Sequence, residues 1–124
     1  MKYILMIALV IGGLFMFMQN GNANQTMKYE ELQNKLNAQE NFVLLDVRTQ
    51  EEFDAGHIAS AILLPYDEIA LKAATVLPDK EKEIVLYCRS GRRSAIAKIA
   101  LVELGYKDVE DFGGINRWKG ELVK

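Results

Sequence analysis

A single cysteine, Cys88, stands immediately before a basic, glycine-containing loop, and a thiol in such a place can act as a nucleophile. Gly91 lets the loop turn tightly, and successive backbone N–H groups in a tight turn can converge on an anion. The helix predicted after the loop adds its free N–H groups and the positive end of its dipole. All of these groups favour a thiolate over a thiol. The predicted substrate-binding loop comprises Arg89, Ser90, Gly91, Arg92, Arg93 and Ser94.

A structural role for Cys88 is the alternative, because free cysteines are often small buried hydrophobic residues at the ends of strands. A structural thiol, however, needs neither an anion-binding turn nor flanking arginines, whose charge is permanent. The loop therefore predicts that Cys88 is catalytic and that the residues after it bind an anionic substrate.

The elements that must position this loop follow from the alternation of apolar runs with helical patterns. Strands are predicted within residues 41–48, 57–65, 82–88 and 107–112, and helices within 27–39, 49–56, 66–78 and 94–105. Strands that are apolar on both faces and separated by helices indicate an α/β fold, with a mostly parallel central sheet and helices on both faces. Ligands bind beyond the carboxyl ends of such strands, and Cys88 lies at one of those ends.

Several element boundaries can also be predicted. Thr26 and Ser94 are expected to cap the amino ends of helices, and Gly56 and Gly105 are expected to end helices. The glycine pair 113–114 is expected to form a turn before a final helix or coil.

The first 23 residues differ from the rest and predict a targeting segment. Lys2 precedes an apolar run at 4–18, and Gly21 and Ala23 have the spacing of a signal-peptide cleavage site. An uncleaved membrane anchor at 4–18 is the alternative, although the run is short for a spanning helix. Both a cleaved signal peptide and an uncleaved anchor would place the domain predicted at 24–124 outside the cytoplasm, in the periplasm or another extracytoplasmic compartment.

Length, charge and composition exclude several classes of function. The chain has 124 residues, which suit one domain, and its net charge of −2 with interspersed signs predicts no binding to nucleic acid. One cysteine excludes an intramolecular disulfide. His57 is the only histidine, so no histidine and cysteine cluster with zinc spacing exists. No metal or cofactor is expected.

Four stretches resemble the single-domain rhodaneses, and with the signal-like start they resemble the small exported rhodaneses of bacteria. The stretches are 44–65 (LLDVRTQEEFDAGHIASAILLP), 84–94 (IVLYCRSGRRS), 100–109 (ALVELGYKDV) and 113–118 (GGINRW). Ser60 departs from the glycine usual in that family, and Leu64 precedes Pro65 where isoleucine or valine is common.

The resemblance implies a rhodanese-like fold and a sulfurtransferase mechanism. The Cys88 thiolate would attack the outer sulfur of thiosulfate or a related small anionic donor and become a persulfide. A thiol or cyanide would then accept the sulfur. Arg92 or Arg93 would offset the charge of the departing sulfite, while Arg89 would either assist them or point into solvent.

Other residues are expected to support the fold. Asp46 and Arg48 could orient the loop, although a salt bridge at a strand end is the stronger interpretation, and Glu52 is a candidate partner for Arg48. His57 is expected to make a structural hydrogen bond rather than act as a base. Trp118 is expected to lie in the core.

Two other functions remain open. Cysteine phosphatases and arsenate reductases resemble this architecture, but they need an arginine where this chain has Ser94. Arg92 and Arg93 would close a smaller loop, which suits a single sulfur atom better than a phosphate. A non-catalytic rhodanese-like binding module is the other alternative, although such modules usually lack the cysteine.

We predict that the mature protein begins at Asn24 and is released outside the cytoplasm. N-terminal sequencing of protein from each cell fraction tests this prediction. Recovery of full-length protein only in the membrane fraction would support the anchor instead.

Overall fold

The computed structural model describes residues 26–124, which build a parallel sheet of four strands. The predicted signal or anchor segment, residues 1–23, lies outside the described residues. The strands are β1 (Val43–Asp46), β2 (Ile62–Leu63), β3 (Ile84–Cys88) and β4 (Val109–Gly114). Their order across the sheet is β2-β1-β3-β4, and every neighbouring pair is parallel. The predicted fold class is therefore confirmed.

Among residues 26–124, four α-helices and two 3₁₀ turns precede, connect and follow the strands. The helices are α1 (Tyr29–Asn37), α2 (Gln50–Ala55), α3 (Ile69–Val76) and α4 (Arg92–Glu103). The 3₁₀ turns are Tyr66–Glu68, before α3, and Ile115–Arg117, after β4. None of the helices among residues 26–124 combines the length and apolar character needed to cross a membrane.

The core lies in two layers, one on each face of the sheet. Side chains of β1 and β3 alternate between these layers because successive residues of a strand point to opposite faces. On one face, Leu45 and Leu86 pack with Ala97 and Leu101 of α4. On the other, Tyr87 packs in a cluster that contains Leu32 of α1 and Phe112. Cys88 belongs to the face that α4 covers.

The position of β3 inside the sheet fixes where Cys88 lies. All five residues of β3 are buried, and β1 and β4 pair with it on either side. Cys88 is its last residue and lies opposite Gly114 of β4. The carboxyl ends of parallel strands lie at one edge of the sheet, so the loop after Cys88 starts at the middle of that edge.

Three predicted boundaries are wrong. The N-cap of α1 is Lys28 rather than Thr26, and no side chain caps it. Gly91 occupies the N-cap of α4, so Ser94 lies within the first turn of that helix. The glycines at 113 and 114 are the last residues of β4 and not a free turn.

Two predicted helix stops are confirmed. Gly56 is the C-cap of α2, and Gly105 follows the end of α4 with φ +98°. Ser60 has φ +70°, a left-handed conformation that favours glycine. This conformation explains why glycine is usual at the position of Ser60, because the left-handed region is less favourable for a residue that has a side chain.

Candidate active site

Cys88 is fully buried beneath the start of its loop, and its sulfur has two polar neighbours. The backbone N–H of Gly91 donates a hydrogen bond to Cys88 Sγ at 3.0 Å. The thiol in turn lies 3.5 Å from the hydroxyl oxygen of Ser94, to which it donates. Burial alone would fit a structural cysteine, but a backbone donor aimed at the sulfur stabilises negative charge there.

Gly91 gives the loop the turn that the sequence predicts. Its φ is +107°, in the left-handed region, and it directly precedes the first residue of α4. The loop therefore turns within three residues and returns the Gly91 N–H to the sulfur of the residue where it began. The α4 amino end and its dipole lie at the same place.

Gly114 is a site residue that the sequence analysis missed. A Cβ atom at Gly114 would lie 2.6 Å from the carbonyl oxygen of Arg89 and 2.9 Å from Cα of Ser90. The end of β4 thus packs directly against the loop backbone, and only a residue without a side chain fits there. The repeated glycine was the available signal, because paired glycines often mark a close approach of two backbone segments.

The three arginines of the loop have different surroundings. Arg93 makes a two-pronged ion pair with Glu52 of α2, at 2.6 Å from Nη1 to Oε1 and 2.9 Å from Nη2 to Oε2. Arg89 and Arg92 are exposed. The charge of Arg93 is therefore largely compensated, while those of Arg89 and Arg92 face solvent.

Glu52 connects this ion pair to the start of α2. Its carboxylate accepts hydrogen bonds from the backbone N–H and the hydroxyl of Thr49, which completes a capping box. The hydrogen bonds from Arg93 hold the pKa of Glu52 down at about 2, although partial burial opposes this shift. Glu52 was expected to pair with Arg48, and that prediction is wrong.

Asp46 and Arg48 form a buried pair of their own, as the strand-end interpretation predicts. Arg48 Nη2 donates to Asp46 Oδ2 at 2.7 Å and also to the carbonyl oxygen of Gly56 at 2.7 Å. The pair ties the end of β1 to the end of α2, and it makes no hydrogen bond to the loop from 88 to 94 within the described residues. Its role is therefore to position α2.

His57 and Trp118 have structural contacts. The Nδ1 atom of His57 lies 2.9 Å from the carbonyl oxygen of Phe53, and the two rings stack with centroids 3.7 Å apart. The backbone of His57 exchanges two hydrogen bonds with Val123. Trp118 packs against the core layer of α1, and its ring lies 5.2 Å from that of Tyr29.

An open groove of about 290 Å³ lies beside the loop. Its lining residues are Arg48, Glu52, Ala55, Gly56, Arg89, Ile115 and Leu122. Among residues 26–124, no group of three or more histidine, cysteine, aspartate or glutamate side chains is arranged to hold a metal ion. Arg89 is the loop arginine in the groove lining, whereas Arg48, which also lines the groove, is paired with Asp46.

We predict that Gly114→Ala displaces the active-site loop and lowers the reactivity of Cys88 by about tenfold or more, because backbone atoms block the new methyl group. The rate of labelling of Cys88 by a small alkylating reagent measures this effect. Gly105→Ala is the matched control, since it strains a left-handed glycine remote from the loop. Equal labelling of Gly114→Ala and wild type would contradict the role of this contact.

We predict that Glu52→Gln lowers the free energy of unfolding by about 1–2 kcal/mol near neutral pH, because it removes the charge partner of Arg93. The folded-state pKa of Glu52 lies below its ordinary value, so the contribution is present above about pH 4.5 and is lost as the pH falls towards about 2.

Urea unfolding of both proteins should therefore show a difference that falls to less than about half by about pH 3. A difference that does not change with pH would contradict the assignment of this ion pair.

The comparisons with known proteins agree with this geometry. The family model described as a rhodanese-like domain matches residues 28–121. The thiosulfate sulfurtransferase PspE of Escherichia coli is 41% identical over 71 residues, which cover 57% of this chain and 68% of that protein. The putative sulfurtransferase YtwF of Bacillus subtilis is 41% identical over 90 residues, covering 73% of this chain and 85% of the relative.

Solved structures give the same result. A rhodanese with anions from Escherichia coli superposes with a TM-score of 0.62 at 38% identity, covering 66% of this chain and 96% of that one. The human single-domain sulfurtransferase TSTD1 superposes with a TM-score of 0.65 at 29% identity, covering 75% and 93% of the two chains. The chain belongs to the rhodanese-like domain family.

Proposed function

We propose that this protein is a sulfurtransferase that carries sulfane sulfur as a persulfide on Cys88. The observation that supports this most strongly is the hydrogen bond from the Gly91 N–H to Cys88 Sγ at the amino end of α4. A backbone donor in this position stabilises an anionic sulfur atom. The names of the relatives, a thiosulfate sulfurtransferase and a putative sulfurtransferase, support the same chemistry.

The first half-reaction loads the sulfur. The thiolate of Cys88 attacks the outer sulfur of thiosulfate, and a new S–S bond forms. The bond between the two sulfur atoms of thiosulfate breaks, and its electron pair leaves with sulfite. One thiolate and one thiosulfate dianion give one persulfide anion and one sulfite dianion, so atoms and charge balance without a redox partner.

The second half-reaction returns Cys88 to its starting state. Cyanide or an acceptor thiolate attacks the outer sulfur of the persulfide. The S–S bond breaks, and its electron pair returns to Cys88 as a thiolate. The products are thiocyanate or the acceptor's persulfide, and no metal or organic cofactor takes part in either half-reaction.

The surroundings of the arginines revise the charge roles expected from sequence. Arg93 is held by Glu52, so we assign it to positioning α4 rather than to binding sulfite. Arg89 lines the groove beside the loop and is exposed, so its charge is available to the anionic end of the donor. Arg92 is exposed and contributes to the field around the loop.

The alternative functions differ in how they use Cys88. A binding module would not need a reactive thiol. The complete burial of Cys88 is the observation that favours a binding module. A phosphatase would need an arginine free to wrap an oxyanion, whereas Arg93 is committed to Glu52. The proposed sulfurtransferase needs a donor sulfur to reach Cys88 past the exposed residues Arg89 and Ser90.

The proposed setting is extracytoplasmic, with residues 1–23 as a signal peptide or residues 4–18 as an anchor. The small anionic donor and the thiol or cyanide acceptor are proposed as diffusible partners, and nucleic acid is not expected to bind.

Thiosulfate should add the mass of one sulfur atom to the wild-type protein, and cyanide should remove it. Cys88→Ser should fold and remain unmodified, because a hydroxyl is neither ionised near neutral pH nor a comparable nucleophile for sulfur. Intact-protein mass spectrometry makes this measurement, with circular dichroism as the test of folding. Sulfur bound by Cys88→Ser, or an unmodified wild type, would overturn the proposal and favour a binding module.

Arg89→Ala should lower kcat/KM for thiosulfate by about tenfold, and the loss should shrink at high salt because the arginine is exposed. Lys107→Ala is the matched control, since it removes an exposed positive charge from the turn between α4 and β4. Steady-state kinetics at low and high ionic strength provide the measurement. An equal loss in both variants would show a general effect of net charge and contradict the role of Arg89.

A further inference from the structure

The outer face of α4 carries two large apolar side chains that are about half exposed. Ile96 is 42% exposed and Ile99 is 53% exposed. The buried residues of this helix are Ser94, Ala97 and Leu101, and the last two pack in the core layer under α4. Because successive residues of an α-helix are rotated by about 100°, Ile96 and Ile99 lie on the side of α4 opposite to these buried residues.

Arg92 and Glu103 extend the two isoleucines into a stripe along the outer side of the helix. Arg92 lies four residues before Ile96, Glu103 lies four residues after Ile99, and both charged side chains are exposed. Spacings of four, three and four residues place all four side chains within an arc of about 60°. The same alternation of spacings forms the seam between the helices of a coiled coil. These four residues are called the α4 stripe below.

The charges at the two ends of the α4 stripe are uncompensated within residues 26–124. The ion pairs of that part of the chain include Arg93 with Glu52 but involve neither Arg92 nor Glu103. At a rise of 1.5 Å per residue, the two ends of the stripe are about 16 Å apart along the helix. Arg92 and Glu103 are therefore too far apart to pair within one chain.

The order of side chains makes the α4 stripe complementary to itself. When two copies of α4 lie antiparallel, Arg92 of each copy meets Glu103 of the other, and Ile96 meets Ile99 between them. The charged residues are equally spaced from the isoleucines, so one two-fold axis satisfies all of these contacts at once. A parallel pair would instead bring like charges together at both ends, which is unfavourable.

Small side chains border the α4 stripe on both sides. Ala95 and Ala100 are each partly buried and lie next to the stripe on the helix surface. The distance between two packed helices depends on the size of the side chains at their contact. The two alanines therefore let a second helix approach α4 closely.

We propose that the α4 stripe binds a second copy of this chain, with the two α4 helices antiparallel across a two-fold axis. The isoleucines form the apolar centre of the contact, and two ion pairs form its rim. One helix pair buries less than the about 1,200–2,000 Å² of a standard stable interface, so the dimer is weak and exchanges with the monomer. This inference does not depend on the proposed chemistry of Cys88.

The dimer also changes the charge beside the active site. Arg92 is the first residue of α4 and directly follows Gly91 of the loop. In the dimer, Glu103 of the second copy compensates the charge of Arg92, whereas Arg89 stays uncompensated. The antiparallel arrangement places the two active-site loops at opposite ends of the helix pair, so neither loop blocks the other.

Sedimentation velocity of the purified protein at low ionic strength, from about 10 μM to about 1 mM, tests the proposal. Half of the wild type should be dimeric at about 100 μM. Arg92→Glu and Glu103→Arg should each weaken association about tenfold, because each puts like charges together at both ends of the contact. Mixing these two variants should restore association, because each then presents opposite charges to the other. Lys107→Glu, a reversal of an exposed charge outside the stripe, is the matched control and should associate like the wild type.

Disulfide trapping tests the antiparallel arrangement in a Cys88→Ser background, where an introduced cysteine is the only thiol. A mixture of Ile96→Cys and Ile99→Cys should form the disulfide between positions 96 and 99 about tenfold faster than a disulfide between identical positions. Lys98 separates the two positions into different tryptic peptides, so mass spectrometry of the digest distinguishes these products. Leu71→Cys on α3, 86% exposed and outside the stripe, is the control and should cross-link slowly.

Three results would overturn the proposal. A wild type that stays monomeric up to about 1 mM would show that the stripe does not bind a second copy. Association that persists in both charge reversals would place the contact on another surface, such as the apolar run at 4–18. Faster cross-linking between identical positions would contradict the antiparallel pairing. None of these measurements uses thiosulfate, so they separate this inference from the proposed function.

Discussion

The active site depends on the contact between two backbone segments, the end of β4 at Gly114 and the loop at Arg89 and Ser90. Because Cys88 ends β3 and pairs opposite Gly114, the two segments leave the sheet side by side. Any side chain at Gly114 would push the loop outward and would move the Gly91 N–H away from the sulfur. The position of the Gly91 N–H relative to Cys88 Sγ therefore depends on the sheet as well as on the loop.

Two ion pairs hold the elements around this contact. One pair is buried and the other is partly exposed. The buried pair of Asp46 and Arg48 joins β1 to the end of α2, while Glu52 of α2 holds Arg93 at the start of α4. Together they connect β1 to α4 through a short helix that carries no buried side chain of its own. A charge pair can fix a helix that has little apolar packing, because its hydrogen bonds set direction as well as distance.

Local patterns were enough to predict the parallel sheet, the place of Cys88 at a strand end and the turn at Gly91. The partner of Arg93 was not predictable, because Glu52 is 41 residues away and only the folded sheet brings them together. Thr49 and Glu52 do have the spacing of a capping box, and this signal was missed. The glycine pair at 113–114 predicts a turn, but the same pair also occurs where a strand must let another backbone segment approach closely, and the sequence does not distinguish the two.

A crystal structure of the thiosulfate-treated protein tests the central claim most directly. The account predicts a second sulfur atom bonded to Cys88 Sγ, within about 3.5 Å of backbone N–H groups of the loop that includes Gly91. An unmodified thiol after treatment, or an added sulfur pointing away from these N–H groups, would contradict it.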